Sequence, residues 1–60
     1  MFVISFVDIQ SKEQLLKVED QSFVPDLNDT IYIDKTNVYI VKKRVIVYYK
    51  SRIIIYIEKR

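Results

Sequence analysis

Sixty residues bound this chain to a single small domain, 1–60. Folding at that length removes only roughly 60% of the surface that the unfolded chain exposes, so stability leans on a partner or on self-association. Half the residues are hydrophobic and the net charge is +2, which argues against disorder, while the absence of Cys, His and Gly excludes disulfides, zinc and iron–sulfur centres and a glycine-rich phosphate loop.

The apolar set is dominated by Ile and Val with five Tyr and three Phe, types that suit a pleated, half-buried surface better than a helix. An all-β fold follows. Phe2 to Ile9 reads as the first strand, with Phe2, Ile4 and Phe6 on one side and Val3, Ser5 and Val7 on the other. This opening has no basic region ahead of it and meets Asp8 early, so it is expected to be a strand and not a signal peptide. The longest apolar runs, at 45–49 and 53–57, fall far short of the ~20 residues that a helical membrane span needs. The expected location is the cytoplasm, where a chain without Cys loses nothing.

Residues 14–19 read as a second strand, with Leu16 and Val18 inward and Lys17 outward. The alternative is a short helix over 12–20, capped by Ser11 with Gln14 closing a capping box. Helical spacing from Leu15 is met by Val18 alone, which favours the strand. Residues 20–28 form a connector around Pro25, with Phe23, Val24 and Leu27 expected on the core. Thr30 to Ile33 is a third strand, followed by a turn at 34–37. That turn has no Gly, and Asp34 and Asn37 are the residues suited to left-handed backbone there. Pairing Ile33 with Val38 would place Tyr32 opposite Tyr39.

Val38 to Tyr49 is a long strand interrupted by Lys42, Lys43 and Arg44, which marks either a bulge or a turn between two strands. Lys50 and Ser51 form a second hairpin turn. The expected register puts Tyr49 opposite Arg52 and Val47 opposite Ile54. Both faces of that hairpin are apolar, so both call for cover. The fold class is therefore all-β: a small five-stranded barrel of Src-homology-3 type, or a strongly bent antiparallel sheet. The alternative is α+β with the helix at 12–20.

The run Pro25-Asp26-Leu27-Asn28-Asp29-Thr30-Ile31-Tyr32-Ile33-Asp34, followed by Tyr39-Ile40-Val41 and Arg44, resembles a pattern in small bacteriophage and mobile-element proteins. There a Pro-x-x-Gly-Asp turn enters a strand, and a hairpin, a long bent strand and a last strand follow. Asn28 stands where that pattern has Gly. The resemblance covers residues 25–58 and implies a small Src-homology-3-like barrel of phage or mobile-element origin.

Catalytic equipment is sparse. The candidate carboxylates Asp26, Asp29 and Asp34 lie in turns, where Asp caps its own backbone. Ser5, Ser11, Ser22 and Ser51 have no base nearby in sequence. A chain this short also has little room for a pocket of about 300 Å³. The expectation is a protein that is not an enzyme and uses no cofactor or metal.

Charge is unevenly spread. Residues 1–37 carry three cations against seven carboxylates, and residues 38–60 carry seven cations against one. Two binding readings result. In the first, the protein engages a protein partner, or itself as a homo-oligomer, through Tyr32, Tyr39 and Tyr56 with Arg44 and Arg52 at the rim. In the second, Lys42, Lys43, Arg44, Tyr48, Lys50 and Arg52 contact single-stranded nucleic acid. A third reading, edge protection by charge, needs no ligand at all.

Overall fold

A computed structural model of the chain describes residues 2–19 and 24–60. It contains β1 (Val3–Asp8), β2 (Gln14–Val18), β3 (Thr30–Tyr32), β4 (Val38–Val47) and β5 (Arg52–Lys59), with a 3-10 turn at Tyr48–Lys50. The strands form one sheet in the order β2-β1-β5-β4-β3, curled into a half-barrel. The all-β expectation holds. The helix expected as an alternative at 12–20 is replaced by β2, and no α-helix occurs among the described residues.

The sheet is mixed rather than wholly antiparallel. β1 and β2 form a hairpin, as do β4 and β5, but β1 runs parallel to β5, with Ile4 beside Ile53 and Phe6 beside Ile55. The first and last strands thus lie together at the centre. Alternation then sorts their side chains. Ile4, Phe6, Tyr39, Val41, Ile53, Ile55 and Ile57 are buried on the inner face. Phe2, Leu15, Val18, Val24, Ile31 and Ile33 pack against them. Leu27, expected on the core, is 53% exposed, and Phe23 lies outside the described residues.

Lys42 is the extra residue of a β-bulge in β4, since Val41 pairs with Ile57 and Lys43 already pairs with Tyr56. Lys42, Lys43 and Arg44 therefore interrupt one strand and do not separate two. The bulge also reverses which way the following residues face. Lys43 shares the outer face with Tyr56, and Arg44 falls in the row of Ile55 on the inner face. From there the Arg44 guanidinium reaches Asp26 at 3.2 Å and ties the connector to β4. Asn28 and Asp29 complete that tie through backbone bonds with Val41 of 2.9 and 3.0 Å.

Two registers differ from expectation. Tyr32 pairs with Val38, and Ile31, not Tyr32, faces Tyr39. The Asp34 carboxylate accepts hydrogen bonds from the Thr36 and Asn37 amides at 2.8 and 2.9 Å, so the turn is built by a side-chain cap. Neither Asp34 nor Asn37 uses left-handed backbone; Lys12, Asn28 and Ser51 do, with φ of 62°, 70° and 50°. At the other hairpin Val47 pairs with Arg52, because the 3-10 turn and the left-handed Ser51 take up four residues where two were expected.

Ser51→Gly is expected to stabilise the fold by up to about 1 kcal/mol, because Gly adopts positive φ without a Cβ clash. Ile55 is fully buried on the central strand, so Ile55→Ala is expected to cost about 2–5 kcal/mol and to leave most of so small a domain unfolded at 25 °C. Urea titration followed by circular dichroism checks both.

Candidate functional site: the outer face of the sheet

With the inner face packed, the opposite face of the same strands is left to solvent. β5 contributes Arg52, Ile54 and Tyr56 to it, β1 contributes Val3, Ser5 and Val7, and β4 contributes Lys43, Val45 and Val47. All of these are half-buried except Ser5, which is buried, and Lys43, which is exposed. Ser5 accepts a hydrogen bond from the Arg52 guanidinium at 3.3 Å, which lays that side chain across the face.

An open groove of about 640 Å³ runs over this surface. Val7, Val47, Ile54 and Tyr56 line it, and Lys12, Lys50, Arg52, Gln14 and Tyr49 supply its polar rim together with Ser5. Among the described residues no carboxylate contributes to the lining. The three cations come from separate segments. Lys12 sits in the β1–β2 turn, where its amide donates to the Asp8 carbonyl at 2.7 Å. Lys50 ends the 3-10 turn, and Arg52 opens β5. Two further contacts reinforce the pattern: the Lys43 ammonium lies 5.9 Å from the Tyr56 ring centre, and that of Lys50 lies 5.6 Å from Tyr49.

A second groove, of about 500 Å³, is lined by residues of β2 and β3 among others: Phe6, Leu16, Val18, Val24, Pro25, Ile31 and Tyr32 take part. The expectation was little room for a pocket of ligand size, and both depressions are open clefts and not enclosed cavities.

The expected site residues scatter. Tyr39, proposed as an interface anchor, is 8% exposed and belongs to the core. Tyr32 is 69% exposed, on the edge strand β3 away from the outer groove. Arg44 is engaged by Asp26 on the inner side. Tyr48 meets Phe2 edge to face, with ring centres 6.2 Å apart, at the end of the sheet. Lys42 stands on the bulge. Only Tyr56, Lys50 and Arg52 line the groove, with Lys43 stacked against Tyr56. Sequence reasoning missed Lys12, which only the β1–β2 hairpin brings to this face.

Edge protection explains part of the charge pattern. β3 pairs with Val38–Ile40, so among the described residues the later half of β4 is an open edge, beside which Lys42 and Lys43 stand. Arg52 lies on β5, which is paired on both sides, so edge protection does not account for it.

The carboxylates behave as turn caps. Asp26 Oδ1 accepts from the Leu27 amide, and Asp29 Oδ2 from the Asp26 amide at 2.7 Å. Hydrogen bonds from Asn37, chiefly its side-chain amide, and from the Thr36 amide hold the Asp34 carboxyl down at about 2. Such a group stays ionised near neutral pH, so it is poorly matched to general acid–base work there. No protein-family model, curated protein or solved structure matches this chain.

The folded-state pKa of Asp34 lies below its ordinary value of 3.8. Its contribution to stability is therefore present above pH ~4 and is lost as the pH falls toward 2. In thermal melts between those limits, Asp34→Ala is expected to show a flatter pH dependence than the parent, with the two curves converging at the acid end.

Proposed function

We propose that this chain is a non-enzymatic binding protein whose working surface is the outer face of its sheet, and that its partner is a protein. The observation that carries this reading is the aliphatic strip of Val7, Val47 and Ile54 with Tyr56, uncovered by any other described residue, on the face of the sheet opposite the core. Uncovered apolar area rimmed by polar groups is characteristic of contact surfaces, and Tyr and Arg are favoured at their centres. A phage-encoded modulator of a host protein fits this reading, as does a self-associating component, provided the copies do not meet face to face. A two-fold contact through this face would set Lys12, Lys50 and Arg52 against the same cations of the second copy.

Single-stranded nucleic acid is the second reading, favoured by the same three cations beside Tyr49 and Tyr56.

Photo-crosslinking separates the readings. A benzoylphenylalanine placed at Tyr49 is expected to form protein adducts in the cell, and one placed at Lys35, exposed in the β3–β4 turn, is not. Adducts to nucleic acid alone, or equal protein adducts at both positions, would overturn the proposal.

A further inference from the structure

We infer that the outer groove accepts an extended acidic segment of a partner protein, with carboxylates on Lys12, Lys50 and Arg52 and an apolar side chain against Val47, Ile54 and Tyr56. This rests on the reading of the outer face as the working surface and adds the chemistry of what it takes.

Charge complementarity carries the argument. Three cations converge on the groove from the β1–β2 turn, the 3-10 turn and the start of β5, with no carboxylate of the described residues in the lining. The next outer-face residue of β5 beyond Tyr56 is Glu58, so the cationic zone ends there. An anionic ligand is therefore favoured within the groove and opposed past its end. The floor then selects among anions. Val47 and Ile54 offer aliphatic area, which rewards burial of a ligand's own apolar side chains. In an extended peptide, side chains alternate, so one row faces the floor while the other reaches the rim.

Nucleic acid fits less well. Bases need open aromatic faces, and the Tyr56 ring of the groove is half-buried with Lys43 over it. Outside the groove, the carboxylate excess of residues 1–37 repels a polyanion longer than the site. A second copy bound face to face meets the like-charge opposition already described.

The test is fluorescence anisotropy with a fluorescein-labelled peptide of alternating Glu and Leu, about a dozen residues long. Saturable binding is expected, weakening severalfold as salt rises from about 50 to 200 mM. An oligonucleotide of thymidine and a Lys–Leu peptide serve as comparisons. Lys12→Glu and Lys50→Glu should each weaken the acidic peptide at least about tenfold, and Lys35→Glu should leave it unchanged. Matching circular dichroism of each variant shows that the fold is retained. Tighter binding of the oligonucleotide, equal binding of the Lys–Leu peptide or indifference to both groove substitutions would overturn the inference. If the acidic peptide fails while crosslinking at Tyr49 still yields protein adducts, the acidic chemistry is wrong and the working surface stands.

Discussion

The structure depends on β5 lying between β1 and β4. Ile53, Ile55 and Ile57 are buried along its inner side, and each faces a partner row on both neighbours. A fully buried Ile side chain is worth roughly 1.5–3 kcal/mol relative to an exposed one. In a domain held by only a few kcal/mol, three adjacent ones on one strand decide whether the sheet exists. Because β1 joins β5 in parallel, these rows come from opposite ends of the chain. Hairpins alone do not bring them together, so loop-closure entropy must be met before the core can repay it.

The same strand defines the groove. With side chains alternating, Arg52, Ile54 and Tyr56 must point away from the core if Ile53, Ile55 and Ile57 point into it. Outer-face geometry is thus inherited from core packing. A one-residue slip of β5 would bury Arg52 and Tyr56 in place of Ile and destroy both at once. The bulge at Lys42 makes a comparable choice on β4. Without it Arg44 would join the outer face and Lys43 would point inward; with it, Lys43 lies by Tyr56 and Arg44 clamps the connector through Asp26.

Local pattern was legible in the sequence, and non-local pairing was not. Alternation gave β1, placed β2 as a strand, and marked the break at Lys42. The parallel pairing of β1 with β5 left no signal, since a strand apolar on both sides reads alike in either direction. The hairpin registers were missed for a related reason. Without Gly, the turns close by other means: an Asp34 side-chain cap in one, and a 3-10 turn ending in left-handed Ser51 in the other. Of the site, Lys50, Arg52 and Tyr56 were legible because the last hairpin is local. Lys12 was not, because it reaches the groove only through the β1–β2 turn, a neighbour in space of residues 40 or so positions away. Tyr39 lies in the core because its direction depends on register, which composition does not encode.

The cations also bear on specificity. An aliphatic strip on a β-sheet pairs readily with any similar strip, including its own copy. Placing Lys12, Lys50 and Arg52 around the strip penalises copies that approach face to face and neutral strands that would leave those charges desolvated. A ligand that brings carboxylates removes the penalty while keeping the apolar contact. On the proposed reading, gatekeeping and recognition are the same electrostatic device on this surface, distinguished only by the sign of what approaches.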